Sequence, residues 1–330
     1  MIKEIFILVI VVALITGLAA CGSKDRKSSG NDSNYGIEEK KLIGFANLTD
    51  EIDFGQAVKR GIIEEAKKAG YDIVSVDNRL DGATAVANAD NLITRGIDFM
   101  IQFNVDSKVA PVIMEMMDAA GIPVIAIDIP HPGAVFFGAD NPTTGIMTGE
   151  ALVGKAIEKW EGKVDLVILV ESRAAGGVPQ QRMEGVLNGV REHIDVPDNK
   201  VIRVDGKNDV LNAQRVVTDT LTANPNARNI LIGCLNDQNG QGALAAVEAS
   251  NRSEHVFIAS QGADKPALDN LKSGEDNSWI GSTAFFPETY GEQIIPLVAR
   301  ILNGEEVPDM NYTEHVFIDR DNIYEYYPDK

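Results

Sequence analysis

Planar amides, carboxylates, one guanidinium and aromatic rings stand at or just past the apolar runs of this chain. They are Asn47, Asp53 and Phe54, then Phe103 and Asn104, Asp128, Gln180 and Arg182, Asn208, Asn236, Gln261 and Phe285. Amides and carboxylates exchange hydrogen bonds with hydroxyls while rings cover apolar C–H faces, so the set suits a polyol or a sugar. Asn and Asp at strand-to-helix turns also cap helices, and for any single residue that role competes evenly with ligand binding. One stretch offers a rival chemistry: "CLNDQNGQGALAA" carries Gly240, Gly242 and Ala245 in the loose G-x-G-x-x-G/A dinucleotide pattern.

The rival weakens on inspection. Its first glycine comes several residues after the strand, and the next strand ends in Ser260-Gln261, where a ribose-binding acid belongs. These glycines are better read as letting a helix pack closely on a sheet. Catalysis finds no support either. The four histidines, His131, His193, His255 and His315, are scattered, without H-E-x-x-H, C-x-x-C, G-x-S-x-G or a P-loop. No cofactor, no metal and no enzymatic activity is expected.

The binding set needs elements to hold it. Apolar runs at 42–46, 71–76, 97–103 and 122–128 alternate with helical spacings such as Val58, Ile62, Ala66 and Ala69. A second series runs through 164–170, 200–204, 229–235, 255–260 and 279–285. Continuous apolar strands alternating with amphipathic helices predict an α/β fold of parallel sheets covered on both faces, with right-handed crossovers. At 330 residues and 44% apolar, the chain is too long for one core, so two doubly wound lobes are expected. In such sheets ligands lie beyond the carboxyl ends of the strands, where the set above falls.

Formal net charge is -19 and no basic block occurs, which excludes nucleic acid as a partner. Lys3, an apolar run over 5–15 and the small-residue stretch "GLAACG" have the layout of a secretory signal over residues 1–20. Leu18-Ala19-Ala20-Cys21 resembles the lipobox of bacterial lipoproteins, in which the cysteine is acylated. An uncleaved anchor helix and a plain signal with an incidental cysteine are the alternatives. Residues 21–40 are polar and read as a flexible tether. Cys234 has no disulfide partner and reads as a small buried hydrophobe.

From 42 to about 318 the chain resembles the type I periplasmic sugar-binding proteins of the ribose-binding family, the receptor subunits of ABC importers. The stretches that carry the resemblance are "GIIEEAKKAGYDIVSVD", "DNLITRGIDFMIQFNVDS", "AGIPVIAID", "QQRMEGV", "NPNARNILIGCLNDQNGQGALAA" and "GEQIIPLVARILNGE". The resemblance implies Asn236 as a ligand-binding amide, Asp237 as the cap of the following helix, Asp128 as a carboxylate accepting two hydroxyls, and Phe54 as a ring over the sugar. The chain departs from the family at Ile129, Gln180, Gln261 and Phe285, with Arg182 near the place of a family arginine. The implied pocket is less charged and more aromatic than a ribose site.

The same resemblance implies one lobe over 41–139 plus 286–317 and another over 140–285 plus 318–330. Hinges then lie near 140–141, 285–287 and 318–319. The expected protein is monomeric, extracytoplasmic and lipid-anchored, at the cell surface or in the periplasm, and passes a carbohydrate to an ABC permease. A sensory receptor presenting a sugar to a chemoreceptor or kinase would share every residue named. An exported enzyme ranks third.

Overall fold

Strands buried on both faces form the centre of each half of the molecule. β1 (Leu42–Asn47), β2 (Asp72–Asp77), β3 (Phe99–Phe103), β4 (Val124–Ile127) and β5 (Val135–Gly138) pair in parallel. β6 (Leu166–Glu171), β7 (Val201–Asp205), β8 (Ile230–Cys234), β9 (Val256–Gly262) and β10 (Trp279–Ala284) repeat the arrangement. β11 (Met310–Tyr312) then joins the first sheet beside β5, and β12 (Val316–Asp319) joins the second antiparallel to β10. The sheet orders, β11-β5-β4-β3-β1-β2 and β12-β10-β9-β8-β6-β7, are the same order written twice. The computed structural model describes residues 40–104 and 106–329. The expected signal peptide, Cys21 and the expected tether, up to residue 39, lie outside the described residues.

β3, β4, β6, β8 and β10 are buried throughout, whereas the edge strands β2 and β7 are only partly covered. Each large aliphatic side chain in those central strands contributes about 1.5–3 kcal/mol relative to exposure. Helices α1 (Asp53–Lys68), α2 (Gly82–Thr94) and α3 (Ala110–Ala120) belong to the first lobe. α4 (Asn141–Trp160), α5 (Gly177–Arg191), α6 (Val210–Ala223), α7 (Asp237–Ala249) and α8 (Lys265–Lys272) belong to the second. α9 (Tyr290–Leu302) returns to pack on α1, and the short α10 (Ile323–Tyr326) follows β12. No helix among the described residues is long and apolar enough to cross a membrane.

The chain passes between lobes after β5, after β10 and between β11 and β12. The last passage corrects the sequence reading, which put it at 318–319. Val316 already pairs with Ala284 in the second sheet, so the crossing occupies 313–315.

The duplication extends to loops. After β2, Asp77 accepts the Arg79 N–H at 2.8 Å, Arg79 and Leu80 take φ of 53° and 55°, and Asp81 caps α2 through the Thr84 N–H at 2.7 Å. After β7, Asp205 accepts the Lys207 N–H at 3.2 Å, Lys207 and Asn208 take φ of 57° and 56°, and Asp209 caps α6 through the Asn212 N–H at 2.7 Å. Two successive left-handed residues without glycine are uncommon, and here they occur at the same step of both lobes.

The G-x-G stretch is packing, with one difference from expectation. A methyl on Gly240 would lie 2.9 Å from Ser260 and the Trp279 ring, on the sheet side. On Gly242 it would lie 2.3 Å from the Val210 carbonyl oxygen, so this glycine seats α7 against α6 and not against the sheet.

Candidate functional site

The strand ends of both lobes open onto one cleft of about 630 Å³, its mouth included. Phe103 and Asn104 follow β3, Asp128 and Ile129 follow β4, Leu235 and Asn236 follow β8, Gln261 and Gly262 end β9, and Phe285 follows β10. Phe54 enters from α1 and Arg182 from α5.

Aromatic rings make one wall. Phe54 meets Phe103 edge-on at 6.2 Å between centroids and Phe285 at 6.4 Å, a geometry that favours such pairs. The Arg182 guanidinium lies 4.7 Å over Phe285. Its Nε donates to Asn141 Oδ1 at 3.0 Å and its Nη1 to the Leu235 carbonyl at 2.9 Å. Arg182 therefore ties the start of α4 to the end of β8 as well as lining the cleft.

Asp128 sits in the left-handed region, φ 58°, and its Oδ1 accepts the Ala139 N–H at 3.3 Å. A side chain on Gly138 would lie 2.4 Å from that oxygen, so glycine there leaves room for the carboxyl. Burial pushes the Asp128 carboxyl up to about 6, with Arg182 offsetting part of the rise.

A buried histidine fixes the neighbouring amide. His131 Nδ1 lies 2.8 Å from the Ile129 carbonyl, which can only accept, so that nitrogen carries the proton. Burial disfavours the charged ring, leaving Nε2 as an acceptor for Asn104 Nδ2 at 3.3 Å. Asn104 Oδ1 is then left with no partner among the described residues.

On the opposite wall, Asn236 Nδ2 donates to Asn208 Oδ1 at 2.8 Å. Asn236 Oδ1 accepts the Asn239 N–H at 3.0 Å, so Asn236 is itself the N-cap of α7. This corrects the assignment of capping to Asp237. Asp237 is fully buried, with Oδ1 accepting Ser260 Oγ at 2.5 Å and Ser282 Oγ at 2.6 Å, and Oδ2 accepting the Asp264 N–H at 2.8 Å. Gln261, 1% exposed, has neither amide atom partnered among the described residues.

Three expected contacts do not line the cleft. Asn47 turns its Nδ2 to Thr49 O and Asp50 Oδ1, at 2.9 and 2.8 Å, and holds the β1–α1 turn. Gln180 donates to the Ser172 carbonyl at 2.9 Å. Asp53, the first residue of α1, lines a separate hollow with Lys265 and Asp269. Conversely, Gln238 and Asp264 line the cleft and were missed. Both belong to helix starts beyond the strand ends, and Asp264 was passed over because β9 runs to Gly262, past the apolar run ending at residue 260. Elsewhere, Glu150, Glu192 and His193 bring possible metal-ligand atoms within 4.8 Å of one another on the exposed surface, and none of them lines the cleft. Cys234 is buried in β8 and burial pushes its thiol up, in keeping with a packing role.

Comparison with known proteins gives consistent relatives. The profile of the periplasmic binding protein domain family matches residues 43–306. The chain is similar to the ribose import binding protein of Bacillus subtilis, 26% identical over 88% of this chain and 90% of the relative. It is also similar to the D-xylose-binding periplasmic protein of Escherichia coli, 24% identical over 73% of each chain. Among solved structures, an ABC transporter solute-binding protein from Bacillus halodurans with bound myo-inositol superposes with a TM-score of 0.72. That pair is 21% identical over 88% of this chain and 98% of the other, so the likeness is one of fold.

Proposed function

The chain belongs to the periplasmic binding protein domain family, and from that premise we propose that it is an extracytoplasmic solute-binding lipoprotein that captures a sugar or polyol between its lobes and delivers it to an ABC permease. One observation carries the reading: Gln261 and Asn104 keep amide atoms without a partner among the described residues, in a cleft that has Phe54, Phe103 and Phe285 along one wall. A buried polar atom without a partner costs about 1–3 kcal/mol, which hydrogen bonds from ligand hydroxyls recover. The rings supply the surface for the C–H faces of a carbohydrate. The cleft is lined by two carboxyls, Asp128 and Asp264, and by a single guanidinium, Arg182, two of whose N–H groups already serve Asn141 and Leu235. A neutral ligand fits this balance better than an anionic one.

Ligand contacts come from both lobes, so each ligand favours the closed arrangement, and bending at the three crossings gives capture and release. Asn104, Asp128, Arg182, Asn208, Asn236, Gln261 and the three phenylalanines are the proposed contacts. The monomer binds without turning its ligand over, and Cys21 carries the lipid that holds it at the membrane. A thermal-shift screen over pentoses, hexoses and polyols tests the reading: a ligand at 100 times its Kd stabilises by about 2.7 kcal/mol. Melting unchanged by every neutral carbohydrate would sink it.

A further inference from the structure

Asp264 occupies the N-cap position of α8, where aspartate is among the best residues, yet its side chain makes no capping hydrogen bond. It is turned elsewhere. Gln238 Nε2 donates to its Oδ2 at 2.7 Å, its own N–H is held by Asp237 at 2.8 Å, and its Oδ1 has no partner among the described residues. The residue is 5% exposed and lines the cleft. A carboxyl that gives up the stabilising role its position offers, and is braced from two sides with one oxygen unpartnered, is placed for something the free protein lacks.

We infer that Asp264 is a ligand-recognising residue of the second lobe, whose carboxyl bonds a hydroxyl of a neutral carbohydrate opposite Asp128 of the first. The inference rests on the sugar-binding reading above. Burial and the adjacent Asp237 push the Asp264 carboxyl well above the ordinary range, so keeping it costs the free protein stability. Asp237 accepts from Ser260 Oγ, Ser282 Oγ and the Asp264 N–H, and as an acceptor offers the Asp264 carboxyl no donor. The other charged group acting on Asp264 is Asp53 of α1, also acidic.

Two variants test the inference, with D-ribose, D-xylose, D-allose and myo-inositol as probes. For whichever probe shifts the wild-type melt most, D264A should weaken binding about tenfold or more in calorimetric titration. Without ligand, D264N keeps the bond from Gln238 and removes the charge beside Asp237, so it should melt at or above wild type. Binding by D264A within about twofold of wild type overturns the inference. A D264N melt lowered by about 4 °C or more also overturns it, because the residue is then structural. If none of the probes shifts the wild type, the sugar reading loses its support, and the D264N melt still decides whether Asp264 is held for the fold.

Discussion

Asn236 donates to Asn208 across 2.8 Å while its other amide atom caps α7, so one side chain joins the β7–α6 loop to the start of a neighbouring helix. Loss of that side chain removes a cap and a wall of the cleft together. N236A should lose about 0.5–2 kcal/mol in urea melts and also bind ligand more weakly. D237A should be the more damaging, by about 3 kcal/mol or more, because Ser260, Ser282 and the Asp264 N–H all lose a buried acceptor. A D237A protein as stable as N236A would contradict the buried network.

Gln261 makes the opposite prediction. Its amide has no partner among the described residues, so no described hydrogen bond depends on that side chain. Q261M, similar in volume, should melt at or above wild type and bind a carbohydrate about tenfold or more weakly. Parallel losses of stability and affinity would mean that the amide serves the fold.

Asp128 sets a pH dependence. The unfolded chain ionises this group near pH ~4, whereas the folded chain holds its proton until about 6. Between those values the unfolded state has released a proton that the folded state keeps, so this group's contribution to stability falls as pH rises through the window and is constant above it. Urea melts of wild type and D128N should diverge between pH 4 and 6 and run parallel above. Identical pH profiles would remove Asp128 from the account.

Closure should be visible in solution. Small-angle scattering at saturating ligand is expected to show a more compact particle than the free protein if the three crossings bend. An unchanged curve would leave the lobes fixed and the hinge proposal without support.

Cys21 is tested by labelling. In a bacterial host, a fatty-acid analogue should mark the wild type and spare C21A. Equal labelling of the two would place the lipid elsewhere.

The fold was largely legible because parallel strands covered on both faces read as unbroken apolar runs, as β4 and β8 do. β5 and β11 were not seen. β11 is a three-residue edge strand with exposed Met310 and Tyr312 and makes no run, whereas β5 is a short apolar stretch that follows β4 with no helix between, outside the strand–helix alternation. The rule that ligands lie past strand ends placed Phe103, Asn104, Asp128, Asn236, Gln261 and Phe285 in the cleft. It erred at Asn47 and Gln180 because an amide can satisfy itself on nearby backbone, and sequence does not say which way it turns. The cap of α7 fell to Asn236 and not to Asp237 for the same reason. Both are capping types, and only the positions of Ser260 and Ser282 decide which one is buried.

The repeated sheet order and the repeated left-handed loops give this chain the geometry of one half-molecule copied and fused. Two identical halves about a two-fold axis would present matching walls, and a ligand could be read equally from either end. Fusion frees each copy to change alone. Leu80 and Asn208 stand at the same step of their loops and line one hollow together, one apolar and the other an amide. A symmetric pair would set the same side chain on both sides of that hollow, and here the two sides differ.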